Sequence, residues 1–138
     1  MVHRDFHVSN LMLMNNRIGI IDSQDALIGN QAYDLASLID DVRLKTSMSL
    51  KNKIYKFYIS KQIKLDKYKF KNDFEILSIL RNLKIIGIFT RLAIKDDKKN
   101  YLKLIPYAWD LIDMRISKNK IFIDLKELLS QNLKKKIR

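Results

Sequence analysis

The stretch that decides the fold is His3-Arg4-Asp5-Phe6-His7-Val8-Ser9-Asn10, near the start of a chain of 138 residues. It has the pattern H-x-D-x-x-x-x-N. A second acidic residue, Asp22, follows the apolar run Ile18 to Ile21. Together the two segments supply a carboxylate on a loop, then an amide and a second carboxylate on either side of a short apolar stretch.

These three side chains have the chemistry that phosphoryl transfer to a hydroxyl group requires. Such a transfer needs a weak base near the attacking oxygen, together with positioning and neutralisation of the phosphate charge. Asp5 is the candidate base, and Asn10 and Asp22 offer the hard oxygen ligands that Mg²⁺ prefers. Each residue alone would also suit a turn or a helix cap, but those separate roles do not explain the shared spacing.

The segment between the two motifs has the pattern of a β-hairpin. Leu11 to Met14 and Ile18 to Ile21 are short apolar runs, and Asn15-Asn16-Arg17 between them is a polar turn. Antiparallel pairing of the runs would bring Asn10, at the start of the hairpin, close to Asp22, at its end. We therefore expect the amide and the carboxylate to share one metal ion.

Other polar residues around this segment are candidates for supporting roles. We expect His3 to fix the loop through a side-chain hydrogen bond, because two histidines without a third ligand make a weak metal site. His7 either faces the substrate or braces the loop. Gln24 and Asp25 are candidates for the substrate side, and Asp34 is expected to organise the loop.

The remainder of the chain has helical periodicity. Leu35, Leu38, Ile39 and Val42 recur at the spacing of one helical face. The predicted architecture is mainly α with a small β-hairpin, in one domain over 1–138: a catalytic loop and hairpin at 1–31 and a helical body at 32–138. Predicted helices begin at Ala32 and cover about 50–64, 73–95, 98–117 and 124 onward, the last one ending in the basic tail Lys134-Lys135-Lys136.

Several details of the helices follow from local signals. The residues Ile54, Phe57 and Tyr58 are predicted to face the core, and Trp109 is predicted to be buried. Asn72 with Glu75 would cap the third helix. Pro106 is expected to break or kink the fourth helix, and Gly87 to allow close packing in the third.

Composition excludes several classes of protein. The hydrophobic fraction of 47% argues against disorder, and the absence of cysteine excludes disulfides and thiolate zinc sites. The net charge is +12, but the lysines are scattered and no nucleic-acid-binding motif is present. Apolar runs are too short to span a membrane and no signal peptide opens the chain. We therefore expect a cytoplasmic protein without a nucleic-acid or membrane partner.

The motifs resemble those of a known enzyme superfamily. The stretches 3–12, 21–26 and 33–38 resemble the aminoglycoside phosphotransferase and choline kinase superfamily, relatives of the eukaryotic protein kinases. The stretch 81–92, with Lys95-Asp96 and Tyr101-Leu102, is similar to bacterial anomeric amino-sugar kinases. Those enzymes phosphorylate N-acetylmuramate and N-acetylglucosamine at the anomeric hydroxyl during cell-wall recycling.

The resemblance implies the C-terminal lobe of a protein-kinase-like fold, with ATP as co-substrate and an amino sugar as acceptor. It implies Asp5 as the catalytic base, and Asn10 and Asp22 as Mg²⁺ ligands. One departure is Ser23, where the family usually has an aromatic residue.

The N-lobe has no counterpart in this sequence. The three glycines, at positions 19, 29 and 87, cannot form a Gly-rich phosphate loop. We therefore expect a truncated or split reading frame and a chain that is inactive alone. The alternatives are a non-catalytic remnant that acts as a binding domain, or a kinase for an aminoglycoside, choline or another small alcohol.

Overall fold

The computed structural model describes residues 1–117 and 119–132, so the predicted basic tail at 134–136 lies outside the described residues. The described part of the chain is mainly helical with one two-stranded antiparallel sheet, which confirms the predicted fold class. The strands are β1 (Leu11–Met14) and β2 (Arg17–Ile20), and the α-helices are α1 (Ala32–Ile39), α2 (Met48–Ser60), α3 (Lys67–Lys95), α4 (Ile105–Ile116) and α5 (Ile123–Asn132).

The hairpin forms because its turn residues tolerate a left-handed backbone. Asn15 and Asn16 have φ angles of 34° and 68°. Two successive residues with positive φ match the right-handed twist of the flanking strands, and asparagine adopts this conformation more readily than most residues. The strands pair from Leu11 opposite Ile20 to Met14 opposite Arg17. The turn is thus one residue shorter than predicted.

Side-chain caps set where two helices begin. Ser47 starts α2 by accepting a hydrogen bond from Leu50 N at 3.2 Å. Asp66 caps α3, because its Oδ1 accepts from the backbone nitrogens of residues 68 and 69, both at 3.0 Å. The helix therefore begins at Lys67, and the prediction that Asn72 and Glu75 cap it is wrong.

Pro106 does not kink a helix. A 3₁₀ segment, Lys99–Leu104, precedes α4, and Pro106 lies in the first turn of that helix. A proline there costs no hydrogen bond, since the first amides of a helix have no partner within it. The predicted helix over 98–117 is therefore two successive helical segments.

The chain divides into two compact units, Met1–Ser78 and Ile79–Arg138. The core of the first unit combines buried residues of α1 with Phe70 and Phe74 of α3. Tyr58 of α2 packs against this core and stacks on Phe70, with ring centroids 5.5 Å apart. Phe57 was predicted to face the core, but 64% of its surface is exposed, so that prediction is wrong.

The second unit contains Trp109, which is only 3% exposed, as predicted. The other buried positions of α4 recur at helical spacing along one face: Ile105, Ala108, Leu111, Ile112, Arg115 and Ile116. A side chain at Gly87 would meet no atom within 4 Å, so the prediction of close packing at this glycine is wrong. Among the residues described, the helices lack the length and apolar character needed to cross a membrane.

Candidate active site

The loop that carries the first motif is anchored by a carboxylate in the first turn of α1. Asp34 Oδ2 accepts a hydrogen bond from His3 N at 2.7 Å, and Asp34 Oδ1 accepts one from Arg4 N at 3.0 Å. Arg4 has a φ of 72°, an uncommon conformation for a residue other than glycine. The two hydrogen bonds hold the backbone in this turn, the geometry expected of a residue that organises the loop.

A second carboxylate holds the other half of the same loop. Asp41, two residues beyond α1, is 2% exposed, and its Oδ2 accepts from Val8 N at 3.1 Å. Its Oδ1 accepts from Arg43 N at 3.0 Å and lies 3.4 Å from Arg43 Nη1. Sequence reasoning missed this residue. It lies beyond the end of α1, and no pattern in the sequence marks it as a partner of the loop.

His3 joins the loop to the chain that leaves the hairpin. Its Nδ1 accepts from Asp5 N at 3.3 Å, and its Nε2 lies 3.0 Å from the carbonyl oxygen of Ile21. Because the Asp5 amide donates to Nδ1, Nε2 is the ring nitrogen that can donate to the Ile21 carbonyl oxygen. The ring therefore spans the two sequence motifs, the geometry that the predicted loop-fixing role requires.

Asp5 lies between His7 and Asn10 with half of its side chain in solvent. Its Oδ1 is 3.3 Å from His7 Nε2, and its Oδ2 is 3.4 Å from Asn10 Nδ2. The side chain is 51% exposed, so a substrate hydroxyl can reach the carboxylate. His7 itself is 5% exposed, which favours bracing the loop over facing a substrate.

Asn10 is fixed with its amide nitrogen toward Asp5. Nδ2 donates to the Asp5 carbonyl oxygen at 2.9 Å, and the Asn10 backbone oxygen accepts from Ile21 N at 3.1 Å. The latter bond extends the hairpin ladder and places Asn10 opposite the residue just before Asp22. The predicted closeness of the two motifs is thus present in the backbone.

Asn10 and Asp22 carry oxygen atoms of the kind that Mg²⁺ binds. With its nitrogen toward Asp5, Asn10 presents Oδ1, which accepts no hydrogen bond from the described residues. Asp22 is exposed, has a φ of 66° and accepts from Gln24 Nε2 at 2.6 Å. Within residues 1–117 and 119–132 no three His, Cys, Asp or Glu side chains form a metal site.

The two residues predicted on the substrate side occupy a tight turn. Gln24 is bonded to Asp22, and Ala26 N donates to the Ser23 carbonyl oxygen at 3.0 Å, which closes the turn around Asp25. Both side chains are exposed. Gln24 is therefore placed to orient the Asp22 carboxylate, and a substrate role for Asp25 stays a prediction.

A buried ion pair lies just after the C-terminal end of α1, next to Asp41 in the sequence. Asp40 has no exposed surface, and its Oδ1 lies 3.2 Å from Lys51 Nζ. The same ammonium donates to the Ile39 carbonyl oxygen at 2.5 Å, and Ser78 Oγ donates to Asp40 Oδ2 at 2.5 Å. These bonds join α2 and α3 to the end of α1. Sequence reasoning missed this network because its members are far apart in the chain.

Comparison with known proteins gives a family match over the segment that contains this loop. Residues 1–66, which contain the whole loop, the hairpin and Asp34, match the model of the Phosphotransferase enzyme family. This segment is similar to that family. The resemblance expected from the motifs is thereby confirmed.

Curated relatives carry one common name, N-acetylmuramate/N-acetylglucosamine kinase. The chain is 32% identical to the protein of Caulobacter vibrioides over 117 aligned residues. The alignment covers 81% of this chain and 32% of that relative. It is 38% identical over 111 residues to the protein of Neisseria meningitidis, covering 76% of this chain and 33% of the relative. The chain thus spans about a third of the length of these relatives.

Proposed function

We propose that this chain carries the catalytic loop and metal-binding residues of an ATP- and Mg²⁺-dependent phosphotransferase that acts on an alcohol group. The observation that supports this most directly is the Asp5 carboxylate. It is half exposed, and His7 and Asn10 hold it on a loop that two further carboxylates anchor. A base needs both accessibility and a fixed position, and this arrangement supplies both.

In this proposal Asp5 accepts the proton of the acceptor hydroxyl as that oxygen attacks the γ-phosphorus of ATP. The bond from this phosphorus to the β,γ-bridging oxygen breaks, and ADP leaves. The position of Asp5 is set by His7 and Asn10, so the carboxylate does not have to be ordered at the moment of reaction. Asn10 Oδ1 and the Asp22 carboxylate would hold Mg²⁺, which neutralises phosphate charge when bound. Gln24 orients the Asp22 carboxylate through its hydrogen bond.

We propose an amino sugar as the acceptor, phosphorylated at its anomeric hydroxyl in the recycling of cell-wall sugars. The support is the name shared by the curated relatives, three of which are at least 30% identical to this chain. An aminoglycoside, choline or another small alcohol is the alternative acceptor. It has less support, because the matched relatives are named for the two sugars.

We further propose that the 138 residues alone do not catalyse phosphoryl transfer. The sequence has three glycines, at positions 19, 29 and 87, and they cannot make a phosphate-binding Gly-rich loop. Electrostatic stabilisation of the transferred phosphoryl group is usually the largest catalytic contribution, and Asp5 cannot replace it. The alternative is a remnant that binds a partner or a sugar without catalysis.

Transfer of labelled phosphate from ATP to each sugar tests this proposal. The chain is assayed alone, and again with the N-terminal portion of the Caulobacter vibrioides relative, fused or added in trans. We expect sugar 1-phosphate only from the complemented protein, and Asp5→Asn should abolish it while Asp110→Asn, at an exposed site on α4, should not. Asp5-dependent turnover by the 138 residues alone would refute the proposed inactivity. Complemented protein without transfer to either sugar would refute the proposed function.

A further inference from the structure

The turn between α2 and α3, residues 61–66, is held at both ends and near its middle. Lys61 N donates to the Tyr58 carbonyl oxygen at 3.1 Å, and Asp66 caps the helix that follows. Between them, Leu65 packs against the core of the first unit. The side chains of this turn that point away from the core are therefore presented to solvent by a backbone that these contacts fix.

Three large apolar side chains lie exposed around this turn. Ile63 is 98% exposed, Tyr68 in the first turn of α3 is 78% exposed, and Phe57 in the last turn of α2 is 64% exposed. The ammonium of Lys61 lies 5.3 Å from the centroid of the Phe57 ring, which ties this ring to the start of the turn. Single apolar side chains are normal on a surface, but a group of them marks an interaction site. We call this region, residues 57–68, the α2–α3 tip.

The tip belongs to a strongly basic stretch of the chain. Residues 53–71 contain seven lysines, one acidic residue and no arginine. All seven lysines are exposed: Lys53, Lys56, Lys61, Lys64, Lys67, Lys69 and Lys71. The acidic residue, Asp66, is engaged at Oδ1 by two backbone amides of α3, both at 3.0 Å. An excess of positive charge of this size attracts an anionic partner.

The residue types at the tip favour an anionic membrane surface over a nucleic acid. Arginine is the usual reader of nucleic-acid phosphates and bases, and the stretch has none. Interfacial membrane binding instead combines two features: apolar side chains that enter the boundary between headgroups and acyl chains, and lysines that attract anionic lipids. Ile63 stands between Lys61 and Lys64, and Tyr68 has the amphipathic ring that suits this boundary.

A run of exposed lysines in the second unit has a different composition. It combines Lys95, Lys98 and Lys99 with two exposed acidic residues, Asp96 and Asp97. Lys99 Nζ lies 2.9 Å from Asp97 Oδ1. Ile94, beside this run, is 78% exposed. The run thus matches the tip in exposed lysine and isoleucine but lacks its large excess of positive charge, and it supplies control positions.

We propose that the α2–α3 tip docks the protein reversibly on a membrane surface that contains anionic lipid. Ile63 and Tyr68 enter the interface, and the lysines at 61, 64 and 67 lie among the lipid phosphates. The apolar runs of the sequence are too short to span a bilayer, which led to the expectation of no membrane partner, but docking on a surface needs no spanning segment. The tip contains no residue of the candidate active site, so the inference does not rest on the proposed function.

Co-sedimentation with lipid vesicles tests this proposal on the 138-residue chain. The vesicles are made of equal parts phosphatidylglycerol and phosphatidylcholine, or of phosphatidylcholine alone. We expect binding to the first kind at low salt, a large loss at high salt, and little binding to the second kind. The triple variant Lys61→Gln/Lys64→Gln/Lys67→Gln should lower the partition coefficient about a hundredfold, since one lysine near an anionic surface contributes about fivefold. Ile63→Ser should lower it about tenfold.

Matched variants in the second unit separate the tip from the overall charge of the chain. Lys95→Gln/Lys98→Gln/Lys99→Gln removes the same charge and should lower the partition coefficient by no more than about fivefold. Ile94→Ser should leave it unchanged, and circular dichroism checks that each variant keeps its helices. Equal losses in the tip and control variants would overturn the tip as the docking surface. Absence of binding to the phosphatidylglycerol vesicles would overturn the proposal as a whole.

A fluorophore reports insertion directly, without removal of a charge. The chain has no cysteine, so Ile63→Cys and Ile94→Cys each give a single labelling site for acrylodan. Vesicles with phosphatidylglycerol should shift the emission to the blue at position 63 and not at position 94. An equal shift at both positions, or a shift at neither, would contradict insertion of the tip. Binding to duplex DNA that the triple lysine variant loses, without binding to vesicles, would assign the tip to a nucleic acid instead.

Discussion

Asp34→Ala is the perturbation that probes the anchoring of the catalytic loop most directly. The carboxylate accepts from two backbone amides, at 2.7 Å and 3.0 Å. Hydrogen bonds to a charged group contribute about 1.5–3 kcal/mol each. Water can replace the bond to Arg4 N, which is exposed, but less readily the one to His3 N, which is partly buried. We therefore expect a loss of about 2 kcal/mol in the local stability of the loop.

Native-state hydrogen exchange of the two amides measures this loss. A change of about 2 kcal/mol corresponds to roughly thirtyfold faster exchange at His3, with a smaller effect at Arg4. Asp34→Asn keeps one side-chain oxygen and should cost about half as much. Asp110→Ala, at an exposed position of α4, is the matched control and should leave both rates unchanged. Unchanged His3 exchange in Asp34→Ala would refute the anchoring role.

Three further outcomes follow from the described contacts. Asp41→Ala should accelerate exchange of the loop amide that donates to it by at least tenfold, and wild-type exchange would contradict its anchoring role. Lys51→Met leaves Asp40 buried without its ammonium and should cost about 3–5 kcal/mol in urea unfolding. Adding Asp40→Leu should recover much of that loss, and purely additive costs would argue against the ion pair. The pKa of Tyr58 is raised from its ordinary value of 10.0 by burial and then by Asp34. Since the unfolded state then loses its proton first, stability should fall as pH rises from about 10 through the folded pKa. Tyrosinate absorbance should show Tyr58 titrating earlier in Asp34→Asn, and an unchanged titration would contradict that contribution.

Features that depend on neighbours in sequence were predictable. The Asn15-Asn16 turn between two apolar runs identifies the hairpin, because the turn needs positive φ at both positions and asparagine tolerates it. The pattern of the first motif identifies Asp5 and Asn10 as candidates for the same reason, since their offset lies within one loop.

Features that depend on packing were not predictable from the sequence. Phe57 has the spacing of a core residue, but the partners of α2 take the face that carries Tyr55 and Tyr58. Asp66 and Asn72 both have a side chain that can cap the start of α3, and the sequence alone does not decide between them. In the structure Asp66 is the cap. In each case tertiary contacts chose between local alternatives of similar stability.

Long-range polar partners were also beyond the reach of a local pattern. Asp41 anchors an amide 33 residues earlier, and Ser78 bonds Asp40 from 38 residues away. Acidic residues near the end of a helix are usually exposed to solvent, so the sequence does not reveal that Asp40 and Asp41 are buried. Their burial becomes visible only once α1, α2 and α3 are assembled.

The convergence of Asp5, Asn10 and Asp22 on one metal-dependent site is tested most directly by anomalous scattering from Mn²⁺. The ion replaces Mg²⁺ in crystals of the complemented protein, this chain together with the N-terminal portion of the Caulobacter vibrioides relative, grown with a non-hydrolysable ATP analogue. We predict one ion with Asn10 Oδ1 and an Asp22 carboxylate oxygen among its ligands, at about 2.0–2.2 Å, and the Asp5 carboxylate facing the phosphates. An Asn10 amide and an Asp22 carboxylate on the order of 10 Å apart, too far to share an ion with such ligand distances, would contradict the proposed site.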